Sequence, residues 1–244
     1  MKEKILNKLK EIEEKENVKI ILAVESGSRA WGFSSLDSDY DVRFIYVRQK
    51  EDYLRLDKVR DVIEWQLDDV YDINGWDLKK ALQLLYQSNP TLFEWASSPI
   101  VYKKTIEWQY VEDILLEYFH PQKCLYHYLS TAKKTYKNMK EQVKLKKYFY
   151  VLRPLFAAKY IKNYLSPPPV LFSEFDYDGL DEVIEELLVL KKNAEETKMI
   201  DRNILLDSYI EEKLETLSSV KLKHEKKNYD QLNEVFLKIL NHTQ

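Results

Sequence analysis

Two short apolar runs, Val18–Val24 (VKIILAV) and Asp41–Arg48 (DVRFIYVR), bracket a loop that carries two of the chain's four glycines. Both runs are rich in β-branched residues and too short for free-standing helices, so they predict buried strands. Between them, residues 25–38 hold Gly27, Gly32 and a set of serines, and the loop ends at Asp39-Tyr40-Asp41. A strand that runs into Gly-Ser, then a ten-residue interval, then Asp-x-Asp at the head of the next strand constrains this chain more than its composition does. Gly27 lets backbone come close to a phosphate, and Ser28 offers a hydroxyl and an N–H to its oxygens. A helix starting after Ser28 would aim further N–H groups at the same anion. Asp39 and Asp41 stand two apart, which on a strand is one face. Two carboxylates on one face repel unless a cation lies between them. Mg²⁺ bridging nucleotide phosphates and an attacking hydroxyl is the natural occupant.

The rest of the chain divides by pattern. Residues 3–16 have helical apolar spacing at Ile5, Leu6, Leu9 and Ile12. Asp61–Gln66 and Val70–Ile73 read as strands of a hairpin around Leu67–Asp69. Asp77 caps a helix over LKKALQLLY, Asn89-Pro90 stops it, and Thr91–Ala96 is a short second helix. From about residue 104 the pattern is helical, with candidates at 105–118, 122–140, 144–164, 179–196, 201–218 and 228–240. Pro154 is expected to kink or interrupt the third of these, and Pro167-Pro168-Pro169 reads as a linker. Strands with flanking helices first and helices only afterwards predict an α+β fold: a mixed-sheet domain over 1–118 and an α-helical domain over 119–244.

Charge is uneven. From His120 to Val170 there are eleven lysines and arginines against one acid, Glu141, in a chain of net charge -3. Such a block points to a local anionic partner, with a pair of solvated helix faces as the plainer alternative. One cysteine, Cys124, excludes an internal disulfide and a cysteine-based zinc cluster. The histidines at 120, 127, 224 and 242 lack metal-ligand spacing. No run of 18 apolar residues is present, and the charged N-terminus lacks the apolar region of a signal peptide, so the expected compartment is the cytoplasm. No Gly-x-Gly-x-x-Gly follows a strand, which argues against a dinucleotide-binding oxidoreductase. The five tryptophans read as core, Trp31 inside the motif loop being the exception.

Val24 to Ser28 and Asp39-Tyr40-Asp41-Val42 together resemble the nucleotidyltransferases of the DNA polymerase beta superfamily. The segments GSRAWGF, SDYDVRFIYV, GWDLKKALQLL, NPTLFEW, SPIVY, YHYLSTAKKTY and KKYFYVLRPLFAAKYI extend this. They resemble the bacterial and phage branch sometimes associated with RNA repair, over roughly residues 20–165. The resemblance implies a nucleotidyltransferase-type mixed sheet followed by a helical domain. It implies a Mg²⁺-dependent enzyme that moves a nucleoside monophosphate from an NTP to an acceptor hydroxyl, on an RNA end, a protein or a small molecule, and releases pyrophosphate. It implies two Mg²⁺ ions, with Mn²⁺ as a substitute, held by Asp39, Asp41 and a third carboxylate on a neighbouring strand. Asp72, in Tyr71-Asp72-Ile73, is the choice; Glu64, in Ile63-Glu64-Trp65, is the runner-up. Gly27, Ser28, Arg29, Lys147 and Arg153 are the expected nucleotide-binding residues. Arg29 reads equally as a phosphate ligand or a partner of Asp37 or Asp39. Arg43, two residues after Asp41, is expected either to balance the carboxylates or to contact substrate. Two other readings stand beside this one: a non-catalytic nucleotide- or RNA-binding module on the same fold, and an antitoxin that modifies a partner protein.

Overall fold

The computed structural model describes the chain apart from residues 36, 69, 194–196, 224, 226 and 243–244 and the side chains of 66 and 67. Leu36 of the motif loop, Asp69 of the hairpin turn and His224 therefore lie outside the described residues. Two compact units form: residues 1–30, 39–118 and 226–244 in the first, and 31–38 with 119–225 in the second.

In the first unit, α1 (Lys2–Glu16) buries Ile5, Leu9 and Ile12, the one face its spacing allows, and ends on Asn17 in the left-handed conformation. Then come β1 (Val18–Glu25), the single turn α2 (Gly27–Ala30), β2 (Tyr40–Arg48), α3 (Lys50–Tyr53), β3 (Val62–Leu67) and β4 (Tyr71–Asp77). These are followed by α4 (Leu78–Tyr86), α5 (Pro90–Ala96), β5 (Val101–Lys104) and α6 (Ile106–Leu115). The described strands make a five-stranded mixed sheet in the order β3-β4-β2-β1-β5. β1 runs antiparallel to both of its neighbours, β3 is antiparallel to β4, and β2 is parallel to β4. Nearly every residue of β1 is buried, as an apolar run in a central strand requires. Gly75 lies opposite Phe44, and a Cβ there would meet the Phe44 ring at 2.3 Å. Asp77 accepts the Lys79 N–H at 2.8 Å, the N-cap that its position predicts.

The second unit holds α7 (Pro121–Lys137), β6 (Gln142–Lys144), α8 (Lys146–Tyr164), α9 (Asp181–Asn193), β7 (Met199–Asp201) and α10 (Ile204–Ser218). β6 and β7 pair antiparallel. α8 runs through Pro154 without interruption and is buried for most of its length. The last helix, α11 (Asp230–His242), returns to the first unit, where its buried Leu232, Val235, Ile239 and Leu240 serve a surface shared with α4 and α6.

A single cut at residue 118 therefore differs from the observed division at two places. Loop residues 31–38 join the helical unit because Phe33 stacks on Phe149 at 4.8 Å and meets Phe172 edge-on at 5.4 Å. Residues after 226 join the sheet unit, where Tyr229 stacks on Tyr86 at 3.8 Å. Among the described residues no helix is long and apolar enough to cross a membrane.

Candidate active site

The parallel pairing of β2 with β4 sets Asp41 opposite Asp72 and Arg43 opposite Asn74. Alternation along each strand then puts all four side chains on one face. Arg43 joins the two acids: its Nη2 donates to Asp41 Oδ1 at 2.8 Å and to Asp72 Oδ2 at 2.5 Å, and its Nη1 donates to the Asp72 carbonyl at 2.7 Å. Asn74 Nδ2 donates to the other Asp72 oxygen at 3.0 Å. The Asp41 and Asp72 side chains keep 21% and 24% of their exposure, so a ligand from solvent can reach them.

Behind this pair stands a third carboxylate, Glu25, at the end of β1 and only 1% exposed. Its Oε1 accepts the Asp41 N–H at 2.9 Å, and its Oε2 accepts the Tyr102 hydroxyl. Burial pushes the Glu25 carboxyl up to about 6. The Asp41 carboxylate adds to the rise, while the two hydrogen bonds and the Arg29 guanidinium pull against it. Ser98 Oγ donates to the Glu25 carbonyl at 2.6 Å and so ties down the same strand end.

The Gly-Ser turn abuts this group. Gly27 has φ 60°, and a Cβ built there would lie 1.9 Å from Asp41 Oδ2. Glycine is needed on two counts: the left-handed backbone and the carboxylate lying against it. The helix expected after Ser28 is instead one turn that begins at Gly27, too short to sum peptide dipoles, and Ser28 is buried at 6% exposure. Arg29 turns back along the motif. Its Nε donates to the Asp39 carbonyl at 2.9 Å and its guanidinium lies 3.9 Å from the Tyr40 ring centroid.

Of the three expected metal ligands, the structure brings Asp41 and Asp72 together. Asp39 precedes β2 by one residue and is partly exposed. Glu64, the runner-up, lies opposite Asn74 in the β3–β4 pairing, one strand further out; its side chain is 71% exposed and pairs with Arg60. Lys147 sits in the first turn of α8, its Nζ 3.4 Å from the Asn138 carbonyl. Arg153 is buried in the helical unit, with its guanidinium 4.3 Å from the Trp31 ring centroid and Nη2 donating to the Val170 carbonyl at 3.4 Å. Sequence reasoning missed Glu25, Asn74 and Tyr102. An acid closing a buried strand was the available signal for Glu25, and the i, i+2 relation to Asp72 was the signal for Asn74.

Among the described residues no group of three or more His, Cys, Asp and Glu side chains stands ready to hold a metal ion. The donor set nevertheless fits Mg²⁺. It offers hard carboxylate oxygens, already gathered around one cation, the Arg43 guanidinium. Mg²⁺ keeps several waters and typically takes only one or two protein carboxylates beside substrate phosphates.

Residues 1–238 match the RNA repair pathway DNA polymerase beta family. A Bacillus subtilis (strain 168) protein, uncharacterized protein YcgL, is 43% identical over 248 residues, covering 97% of this chain and 95% of its own. The chain belongs to the RNA repair pathway DNA polymerase beta family, within the nucleotidyltransferases of the DNA polymerase beta superfamily.

Proposed function

We propose that this member of the family is a Mg²⁺-dependent nucleotidyltransferase that moves a nucleoside monophosphate from an NTP to a hydroxyl of an RNA end and releases pyrophosphate. The observation that carries the reading is the Asp41–Arg43–Asp72 cluster beside the Gly27 turn. Asp41 and Asp72, with Asp39 at the approach, are the residues that would hold the metal. When bound, it supplies charge for the triphosphate and lowers the pKa of the attacking hydroxyl.

The chain's own groups do the rest. Glu25 holds the Asp41 backbone N–H, while the Gly27 turn against Oδ2 and the Arg43 guanidinium on Oδ1 leave the carboxylate little freedom. Arg43 offsets one of the two negative charges before substrate arrives, which lowers the repulsion a polyanionic triphosphate meets. Asp72, oriented by Asn74 and Arg43, is the group we assign to accept the acceptor's proton. An RNA end as acceptor rests on the family's name and on the basic segment.

Incubation with each α-labelled NTP, Mg²⁺ or Mn²⁺ and a panel of RNA 3′ ends, with cell extract in parallel, tests the reading. Label on RNA supports it. Label on protein alone would move the acceptor to another class. The Arg43 bridge also favours a second reading, in which the guanidinium replaces the metal and the fold binds nucleotide without turning it over. Nucleotide binding unaffected by divalent ions, with no label transferred, would select that reading.

A further inference from the structure

We infer that the outward face of α7 is a docking surface for the phosphate backbone of a single-stranded polynucleotide. The helix buries Pro121, Cys124, Leu125, Tyr128, Leu129 and Ala132 on one side. Opposite them Lys123, His127, Ser130, Lys134 and Lys137 follow one another at steps of three and four, with Tyr126 and Lys133 alongside, and all are exposed. Those spacings make one continuous stripe on the side facing solvent.

The lysines of the stripe have no acidic partner among the described residues. α7 contains no Asp or Glu at all. Lys123, Lys133, Lys134 and Lys137 form no ion pair there, nor do Lys140 and Lys144 just beyond the helix. Some surface lysines elsewhere are matched, Lys15 with Glu11, Lys103 with Glu13 and Lys104 with Glu112, while Lys2, Lys4 and Lys10 of α1 form no ion pair among the described residues. What sets α7 apart is seven exposed stripe positions with no acid among them. The flank is matched too, since Tyr136 donates to Glu211 of α10. Lys133 and Lys137 stand four apart, a like-charge spacing that weakens a helix. The C-terminal dipole end favours Lys134 and Lys137 in the last turn, but it does not favour Lys123 in the first, so helix stability accounts for only part of the stripe and an external polyanion accounts for the whole of it.

Length and chemistry narrow the partner. From Lys123 to Lys137 the helix rises about 21 Å, the reach of about six phosphates at the ~3.4 Å spacing of a stacked strand. A triphosphate is much shorter. A membrane-surface helix needs a free apolar face, and the apolar face of α7 is already buried in its own unit. Tyr126, 40% exposed within the stripe, offers a ring edge to bases, and Lys221 adds a further cation at its hydroxyl, 2.8 Å away. That the strand is the acceptor RNA rests on the proposed function; the surface itself rests on charge and spacing.

The test is fluorescence anisotropy with a labelled RNA of about 20 nucleotides, the DNA of the same sequence, and polyglutamate, each titrated over a range of KCl. NTP and divalent ions are left out, so the result does not depend on nucleotidyl transfer. The variant Lys133→Glu/Lys134→Glu/Lys137→Glu should weaken strand binding about tenfold or more at low salt. It should also reduce the log K against log salt slope by about 2, near 0.7 for each phosphate no longer neutralised. Lys→Gln at the same positions should reduce the slope alike, and thermal melting shows that both variants fold. A matched control, Lys2→Glu/Lys4→Glu/Lys10→Glu on exposed positions of α1, changes net charge equally and should leave the slope in place. The nucleic acid that shows the loss, RNA or DNA, identifies the source. An unchanged slope in the α7 variants, an equal loss in the α1 control, or polyglutamate bound as tightly as the strands overturns the proposal.

Discussion

The Asp41 backbone N–H donates to Glu25 Oε1 at 2.9 Å, so a buried carboxylate on β1 holds the residue of β2 that carries the candidate metal ligand. Replacing Glu25 by Leu leaves that N–H and the Tyr102 hydroxyl without their acceptor. The expected cost is about 1–3 kcal/mol of stability, with activity or metal affinity down roughly 10–100-fold. Glu25→Gln keeps an acceptor for Asp41 and should recover most of the activity. Steady-state rates and melting curves for both variants check this. A folded, fully active Leu variant would remove Glu25 from the account.

Gly27→Ala tests the close approach directly. The new methyl would have to occupy the space of Asp41 Oδ2 on a backbone at φ 60°. A modest loss of stability, on the order of 1–2 kcal/mol, is expected from the backbone conformation. A much larger loss of transfer is expected from displacing the carboxylate. Should activity survive while stability falls, the close approach is structural only.

Arg43→Met separates charge balance from packing. Without the guanidinium, Asp41 and Asp72 face each other with no cation between them. In metal-free buffer the variant should melt several degrees below the parent. Mg²⁺ or Mn²⁺ should raise its melting temperature more than the parent's, because the ion takes up the vacated role. Equal responses to divalent ions in the two proteins would argue against a cation site at this pair.

Acid sensitivity has a separate source in α6. Burial raises the Glu107 carboxyl, but the Lys19 ammonium at 2.8 Å and a backbone N–H oppose it, and the value comes down to about 2. A depressed carboxylate stabilises the fold above its unfolded value of 4.5, and that stability drains away as pH falls toward 2. Lys19 is 41% exposed, so solvent screens the pair and the loss should be on the order of 2 kcal/mol. Denaturant melts of Glu107→Gln should be less stable than the parent at neutral pH, and the gap should narrow below pH 4.5 and close as pH reaches about 2.

How far the site could be read in advance differs from residue to residue. β1, the Gly-Ser turn and β2 were legible because a buried strand, a left-handed glycine and a paired-acid strand head each leave a local pattern. Asp72 was legible as an acid between apolar neighbours, yet its place opposite Asp41 depends on a parallel register that no local pattern encodes. β5 passed unread: four residues at a sheet edge, half exposed behind Ser98-Pro99, carry little alternation. With it went Tyr102 and the role of Glu25. The helical half was legible by periodicity, although α8 runs on through Pro154, where the packing of a helix buried for most of its length outweighs the local cost of the proline. That the motif loop belongs to two units was not legible, since Trp31 and Phe33 look like ordinary loop aromatics until Phe149 and Phe172 are placed beside them.

The most direct test of the central claim is nucleotide incorporation from α-labelled NTP, with Mg²⁺ and the RNA panel, by the parent and by Asp39→Asn, Asp41→Asn and Asp72→Asn, each shown to be folded by its melting curve. The account predicts incorporation by the parent and its loss by at least about a hundredfold in each variant, since each amide removes a carboxylate needed for metal or proton. Incorporation near the parent's level by Asp41→Asn or Asp72→Asn would contradict it.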